Sequence, residues 1–206
     1  MLKAVIFDYD GVIADSFSVA CRIINGIMRK NDRQTHSESE YREIFTHNAK
    51  SFFVKMGFAD QKLISAMLHF EKVMSSEVKV FDGIDDVLKG ARKKYKIALA
   101  SNAPRKYVEN TIKERIRLFD FTICGDEAKP KPNPEQILLC MEKLKVNAGE
   151  TCLVGDMEQD IIAAKAAGLE KVIAVSYGFH GRERLSGADV IARSPQEILS
   201  LLNNGL

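Results

Sequence analysis

The chain has 206 residues, of which 46% are hydrophobic and 28% are charged, as is typical of a globular protein with a buried core. The net charge is only +2, so overall charge gives no reason to expect a nucleic acid partner. No run approaches the roughly 18 apolar residues of a membrane span, and the first apolar run stops at Asp8, too early for a signal peptide. With four scattered cysteines and no CxxC pair, the sequence predicts a cytoplasmic protein.

Short apolar runs predict the strands of one sheet. In chain order they lie at residues 2–7, 97–100, 121–124, 152–154 and 172–175, with a weaker run at 189–191. Helix-like segments separate the later runs, at residues 85–94, 106–115, 134–144 and 160–167. Strands and helices that alternate through short connections favour a parallel sheet covered on both faces, so the predicted fold class is α/β.

Residues 15–81 interrupt this alternation and contain no clear strand. Three amphipathic segments there, at residues 16–30, 38–46 and 60–76, predict helices. A small helical domain of residues 15–81 is therefore expected as an insert in a core domain of residues 1–14 and 82–206. Its hinges are expected near Asp15 and Ser16 and at residues 80–83.

Asp8 and Asp10 directly follow the first predicted strand and precede Gly11. Two carboxylates at the end of a buried strand are costly unless a cation neutralises them, and hard oxygen ligands of this kind suit Mg²⁺. Side chains two residues apart on an extended segment point to the same side, so both acids can serve one bound group. Taken alone, the pair could equally be two solvated acids at a turn.

Three further polar sites fall at the carboxyl ends of predicted strands. Ser101 and Asn102 follow the second run, and Lys131 lies in a proline-rich loop after the third. Asp156 follows the fourth run, and Asp160 begins the next helix. Each could have a local role as a helix cap, a solvated lysine or a partner of a helix dipole. Because ligands of open parallel sheets bind at this edge, we expect these side chains to share one crevice with the first two acids.

In this order the motifs resemble those of the haloacid-dehalogenase superfamily, and within it the phosphoglycolate-phosphatase-like branch. The matching segments are Phe-Asp-Tyr-Asp-Gly-Val at 7–12, Ala-Ser-Asn at 100–102, Lys-Pro-Asn-Pro at 131–134, and Val-Gly-Asp at 154–156 with Asp160. The resemblance covers the core and matches the insert only weakly. It implies a Rossmann-like parallel-sheet core with a small all-helical cap, and a Mg²⁺-dependent hydrolase of a small phosphomonoester.

The resemblance also implies a role for each matched residue. Asp8 would be the nucleophile that forms an aspartyl-phosphate, and Asp10 would be the general acid and then the general base. Mg²⁺ would bind Asp8, the backbone carbonyl of Asp10, and Asp156, with Asp160 supporting the metal site. The phosphate would be bound by Ser101, Asn102, Gly11 and Lys131, and Lys131 would also neutralise charge during the reaction. Lys129 offers a second register for this lysine, but the distance to Asp156 in the sequence favours Lys131.

The cap would close over the phosphate and contact the leaving group. Its candidate substrate contacts are Arg42, His47, Lys50 and Lys55, because a carboxylate or a second phosphate needs a cation. Phosphoglycolate is the leading substrate by resemblance, while pyrophosphate, a sugar phosphate and a nucleoside monophosphate stay open. We expect a small phosphorylated metabolite as the partner, neither nucleic acid nor membrane, and a monomer or weak homodimer.

Several other activities use the same core. The acid at Asp10 argues against a dehalogenase, which attacks carbon and needs no proton donor there. A phosphonate-cleaving relative would need a Schiff-base lysine from the insert, for which Lys50 and Lys55 are available. A sugar-phosphate mutase similar to β-phosphoglucomutase would use the same residues but must retain its aspartyl-phosphate. A non-catalytic binding or regulatory module is the remaining alternative.

Overall fold

A parallel sheet of six strands forms the centre of the fold in the computed structural model, which describes residues 1–46 and 49–204. The strands of the described residues are β1 (Ala4–Phe7), β2 (Ala14–Asp15), β3 (Lys79–Val80), β4 (Lys96–Ala100), β5 (Phe121–Ile123), β6 (Thr151–Gly155), β7 (Lys171–Val175) and β8 (Val190–Ala192). All of them except β2 and β3 belong to the six-stranded sheet. The order in the sheet is β5-β4-β1-β6-β7-β8, and every pairing is parallel. The first strand of the chain therefore lies near the middle of the sheet.

The described residues form nine α-helices, of which the last five in chain order cover the two faces of this sheet. The nine are α1 (Phe17–Lys30), α2 (Glu38–Ile44), α3 (Ala49–Lys55), α4 (Asp60–Glu77), α5 (Ile84–Arg92), α6 (Arg105–Ile112), α7 (Glu135–Leu144), α8 (Glu158–Ala166) and α9 (Pro195–Asn204). Short 3₁₀ helices lie at Lys113–Leu118, Ala148–Glu150 and Arg182–Leu185. No helix among the described residues has the length and apolar character needed to cross a membrane.

Strand β1 shows why the sheet needs two helical layers. Its residues alternate between faces, so Val5 and Phe7 join the core beneath α5, α6 and α9, while Ala4 and Ile6 join the core beneath α7 and α8. All four residues of the strand are buried. A continuous apolar strand of this kind is stable only when both of its faces are covered.

The predicted fold class is confirmed, and each predicted strand is present within two residues of its expected bounds. The helix predicted at 106–115 ends earlier, because Lys113 has a positive φ of 47° that an α-helix does not contain. Helices α3 and α9 and the short strands β2 and β3 were not predicted.

Helices α1 to α4 form the all-helical insert, and the chain enters and leaves it through one small ribbon. Strands β2 and β3 pair in antiparallel register, with Ala14 opposite Val80 and Asp15 opposite Lys79. This ribbon lies where the hinges were expected. The division into a cap of residues 15–81 and a core stays a prediction.

Candidate active site

The ends of three neighbouring strands bring the predicted polar residues to one edge of the sheet. Asp8 follows β1, Ser101 follows β4 and Asp156 follows β6, and β1 pairs with both of the other two strands. All three side chains are buried, with exposed fractions of 8%, 1% and 0% respectively. Buried polar groups require partners, so their contacts define what this site can bind.

Lys131 is the cation at the centre of this group. Its ammonium nitrogen lies 2.7 Å from Asp8 Oδ1 and 2.6 Å from Asp160 Oδ1. It also donates to the carbonyl of Ala100 at 2.9 Å. Lys131 is only 2% exposed, whereas the side chain of Lys129 is 73% exposed. The structure thus places Lys131, and not Lys129, among the carboxylates.

The side chain of Asn102 holds the loop that carries this lysine. Asn102 Oδ1 accepts from the Lys131 backbone amide at 2.7 Å, and Asn102 Nδ2 donates to the Lys131 carbonyl at 2.9 Å. Gln136, at the start of α7, donates to the carbonyl of Ser101 at 3.0 Å. Sequence reasoning missed Gln136, whose signal was a buried polar residue in the first turn of an otherwise apolar helix.

Asp156 and Asp160 differ in how their oxygens are used. Asp160 Oδ2 accepts from the amides of Asp156 and Met157 at 3.2 and 2.9 Å, while Oδ1 receives the Lys131 ammonium. Both Asp160 oxygens are therefore occupied by donors of the protein. Asp156 Oδ2 accepts from the amide of Phe179 at 2.6 Å, but Asp156 Oδ1 is buried without a hydrogen-bond partner among the described residues. A buried carboxylate oxygen without a donor is a position that a cation can occupy.

The residues present fit a divalent metal. One carboxylate oxygen from each of Asp8, Asp156 and Asp160 lies within 4.8 Å of the other two. This spacing suits a shared cation, although the Asp160 oxygens already accept from donors of the protein. The only ammonium among these carboxylates in the described part of the chain is that of Lys131, so their negative charge exceeds the positive charge beside it. Carboxylate oxygens are the ligands that Mg²⁺ prefers.

Two glycines allow the backbone to close tightly around Asp156. A Cβ at Gly11 would lie 2.0 Å from Asp156 Oδ2, and one at Gly178 would lie 2.3 Å from the same oxygen. Gly11 also has a φ of +76°, which other residues rarely adopt. The amide of Gly11 donates to the carbonyl of Ala14 at 2.9 Å, and a phosphate-binding role for Gly11 stays a prediction.

The pKa values of the acids reflect this crowding. Burial, reinforced by the charge of Asp160, raises the pKa of Asp8 to about 7 although the Lys131 ammonium opposes the shift. Burial, with the charges of Asp8 and Asp160, raises the pKa of Asp156 well above its usual value. Burial alone would lower the pKa of Lys131, but Asp160 and Asp8 together raise it, so this lysine stays charged. A bound divalent cation would favour the ionised form of every carboxylate beside it.

Asp10 has a partner that the sequence did not indicate. The hydroxyl of Tyr107, from α6, donates to Asp10 Oδ1 at 3.0 Å. Burial raises the pKa of Asp10 to about 6, and the hydrogen bonds from Ser16 and Tyr107 oppose this shift. Sequence reasoning missed Tyr107 because a tyrosine in an amphipathic helix is most often a packing residue.

A cavity of about 320 Å³ lies above the acids, between the core and the insert. The core side of its wall includes Asp8, Asp10, Ser101, Asn102, Tyr107, Lys131 and Asp160. The insert contributes Phe45, Ala49, Lys50, Met67, Phe70, Glu71 and Met74. The helical insert therefore covers the polar cluster with a largely apolar wall that carries one lysine and one glutamate.

The predicted contacts from the insert lie in different places. Lys50 lines the cavity. The guanidinium of Arg42 lies 4.1 Å from the centre of the Phe17 ring and donates to the carbonyl of Gly178, so Arg42 joins the insert to the core. Lys55 lines a separate, shallow surface depression. His47 lies outside the described residues. Among the described candidates, only Lys50 lines the cavity that also contains Asp8 and Asp10.

His180 has contacts that give it a structural role. It is fully buried, and burial followed by the charge of Arg184 lowers its pKa to about 4. Its Nδ1 accepts from the amide of Glu158 at 3.0 Å, and its Nε2 lies 3.4 Å from the carbonyl of Phe45. A neutral imidazole here connects the core to the insert.

Comparison with known proteins agrees with the family resemblance of the sequence motifs. Residues 5–175 match the model of the haloacid dehalogenase-like hydrolase family. A phosphorylated carbohydrates phosphatase of Thermotoga maritima is 28% identical over 100% of both chains. A phosphoglycolate phosphatase of Pseudomonas fluorescens is 28% identical over 87% of this chain and 72% of its own. A solved structure from Thermotoga maritima, provisionally assigned as a β-phosphoglucomutase, is 25% identical with a TM-score of 0.76 over 100% of both chains.

Proposed function

Because this chain belongs to the haloacid dehalogenase-like hydrolase family, we propose that it is a Mg²⁺-dependent phosphatase that cleaves a small phosphomonoester through an aspartyl-phosphate on Asp8. The family match together with the relatives named as phosphatases supports a phosphomonoester hydrolase, while the metal, the intermediate and the substrate are our proposal. The observation that carries it is the convergence of Asp8, Lys131 and Asp156 at one sheet edge with a carboxylate oxygen left unpartnered.

Asp8 is oriented for attack by two donors on one of its oxygens. Its Oδ1 accepts from the Tyr9 amide at 2.7 Å and from the Lys131 ammonium at 2.7 Å. Asp8 Oδ2 then attacks phosphorus, the new bond forms between that oxygen and phosphorus, and the bond to the leaving oxygen breaks. Lys131 stabilises the negative charge that develops on the transferred group.

Asp10 handles the proton in both halves of the reaction. In the first half it gives its proton to the leaving alkoxide. In the second half it accepts a proton from water, the water oxygen bonds to phosphorus, and the bond between Asp8 and phosphorus breaks. A pKa of about 6 keeps both protonation states of Asp10 accessible near neutral pH.

Asp8, Asp156 and the backbone carbonyl of Asp10 would hold the metal ion. When bound, Mg²⁺ would reduce the repulsion between the carboxylates and the phosphoryl oxygens and make phosphorus easier to attack. Asp160 supports the site, because its Oδ2 accepts from the Asp156 amide and its Oδ1 pairs with the Lys131 ammonium.

The wall of the cavity limits the choice of leaving group. Lys50 is the cation from the described part of the insert that lines the cavity, and it would pair with the carboxylate of phosphoglycolate. The apolar side chains of Phe45, Met67 and Phe70 also leave room for a larger alcohol, such as that of a sugar phosphate. Phosphoglycolate is the first candidate and a carbohydrate phosphate the second, as in the relatives from Pseudomonas fluorescens and Thermotoga maritima.

A sugar-phosphate mutase is the second candidate function, because a solved structure assigned provisionally to a β-phosphoglucomutase covers the whole chain. A mutase returns the phosphoryl group to the sugar instead of losing it to water. Incubation with a sugar bisphosphate separates the two activities, since a mutase yields an isomerised sugar phosphate and a phosphatase yields free phosphate.

The test of the proposed function is phosphate release from a panel of phosphomonoesters, with Mg²⁺ and with EDTA. We expect turnover only with Mg²⁺, and no measurable turnover by Asp8→Asn. Asp86→Asn, which changes a carboxylate of α5 outside the cavity, is the matched control and should keep normal activity. Equal and negligible rates in Mg²⁺ and EDTA would favour a binding module, and an active Asp8→Asn enzyme would disprove the nucleophile.

A further inference from the structure

Tyr107 is joined to the proposed acid although the two residues are far apart in the sequence. Its hydroxyl donates to Asp10 Oδ1 at 3.0 Å, across 97 positions of the chain. The ring of Tyr107 also packs edge-on against Tyr9, with ring centres 5.3 Å apart. Tyr107 belongs to the core helix α6 and lines the same cavity as Asp10.

An acid that transfers protons needs a fixed orientation as well as a suitable pKa. A carboxyl group that rotates freely presents its proton to the leaving oxygen only part of the time, and misplacement by about 1 Å can cost a hundredfold in rate. A donor on one oxygen leaves the other oxygen to carry the transferred proton. Burial, with the negative charge of Asp10 beside it, raises the pKa of Tyr107, so the phenol stays protonated and can donate throughout.

We propose that Tyr107 is a positioning residue that holds Asp10 Oδ1, so that Asp10 Oδ2 gives the proton to the leaving alkoxide and later takes one from water. This inference rests on the proposed function, because it assigns Tyr107 a task only if Asp10 is the acid. A hydrogen bond from Ser16 also opposes the rise in the pKa of Asp10. Ser16 lies at the entry to the insert, whereas Tyr107 is part of the core helix α6.

Leaving groups of different basicity separate positioning of the acid from general damage. An alkyl phosphate such as glycerol 2-phosphate releases a strongly basic alkoxide that needs a proton, while p-nitrophenyl phosphate releases a stable phenolate that does not. We expect Tyr107→Phe to lower kcat/KM for the alkyl substrate at least about tenfold, a part of the roughly 10²–10⁴-fold that general acid catalysis supplies. For p-nitrophenyl phosphate, kcat/KM should stay within about threefold of wild type, since it reports only the steps up to formation of the aspartyl-phosphate.

Tyr95→Phe is the matched control. The hydroxyl of Tyr95 donates to the carbonyl of Leu202 at 2.6 Å, remote from the cavity, so its loss removes a tyrosine hydrogen bond without touching Asp10. This variant should keep the wild-type ratio of alkyl to aryl kcat/KM. In an Asp10→Asn background, Tyr107→Phe should cause no further change in that ratio, because residues that act through one another are not additive.

The outcomes distinguish this inference from the proposed function. If Asp10→Asn lowers the ratio but Tyr107→Phe leaves it within twofold of wild type, the positioning role is wrong and the phosphatase stands. If Asp10→Asn leaves the ratio unchanged, the assigned acid is wrong, and the role of Tyr107 falls with it. Should Tyr107→Phe prove less stable in thermal unfolding, the ratio still gives the comparison, because an unfolded fraction lowers both kcat/KM values equally.

Discussion

At the scale of single residues, the site depends on how closely the backbone approaches Asp156. The amide of Phe179 fixes one oxygen of this carboxylate at 2.6 Å, and Gly11 and Gly178 allow two loops to lie against it. The other oxygen has no hydrogen-bond partner among the described residues, and under the proposed function it is the one that would bind the metal. Glycine at these positions therefore leaves space for the Asp156 carboxylate in its observed orientation.

We predict that Gly178→Ala impairs the metal site. The added Cβ would lie 2.3 Å from Asp156 Oδ2, so either the loop or the carboxylate must shift. The expected loss of stability is about 1–3 kcal/mol, as for other overpacked sites, with a weaker response of activity to Mg²⁺. Urea unfolding and a titration of activity with Mg²⁺ measure both effects.

Gly26→Ala is the control, because a Cβ at Gly26 meets nothing within 4 Å. Gly26 lies inside α1, where alanine is favoured over glycine by about 1 kcal/mol, so this variant should be slightly more stable than wild type. A Gly178→Ala protein with the Mg²⁺ dependence of wild type would show that the close approach does not matter.

At the scale of elements, two arginines join the end of α2 to the core in opposite directions. The guanidinium of Arg184 donates to the carbonyls of Glu43 and Phe45 at 3.2 and 3.4 Å, and Arg42 donates back to the carbonyl of Gly178. The last carbonyls of a helix have no partner within the helix, so an arginine from another element satisfies them well. These contacts join the insert to the core beside the cavity.

Loss of this connection should weaken closure of the insert. We predict that Arg184→Gln raises KM by roughly fivefold, the equivalent of about 1 kcal/mol of lost closed-state stability. Steady-state kinetics with the best substrate of the panel measure the change. Arg182→Gln, which alters a neighbouring arginine of the same 3₁₀ helix, should leave KM unchanged. Equal KM values for the two variants would mean that Arg184 does not stabilise closure.

At the scale of the whole molecule, the proposed metal site would make stability depend on the cation. Asp8, Asp156 and Asp160 share a small buried volume, and a ligand that binds only the folded state stabilises it by mass action. The gain is about 2.7 kcal/mol at a hundredfold excess over Kd. For a chain of this length each kcal/mol corresponds to roughly 2–4 °C in Tm.

We predict that saturating Mg²⁺ raises Tm by about 5–10 °C relative to EDTA, which follows from those two magnitudes. Asp156→Asn should lose this increase, whereas Asp86→Asn should keep it. Differential scanning calorimetry of the three proteins gives the comparison. Coincident unfolding curves of the wild-type protein in Mg²⁺ and EDTA would contradict a metal site here.

The amino-acid sequence is sufficient to predict the strands of the sheet and the acidic residues at their carboxyl ends. Strands show as short apolar runs, and the polar residues that follow them must meet at one edge because parallel neighbours end together. The runs predict that Asp8, Ser101 and Asp156 lie at one edge of the sheet, and the resemblance of the motifs to a known family adds the expectation that they share one crevice. The cytoplasmic location, the oligomeric state and the bounds of the cap stay predictions.

The side chains that support these acids, and those that face the cavity, can be identified only from the folded structure. Tyr107 reaches Asp10 across 97 positions of the chain, and Arg184 reaches Phe45 across 139. Arg42 and Lys50 are both basic residues of the insert, and the sequence gives no reason to distinguish them. In the folded structure, Arg42 contacts the core and Lys50 lines the cavity. The physical reason is that periodicity fixes the local conformation of the chain, while the direction of a side chain depends on neighbours far away in the sequence.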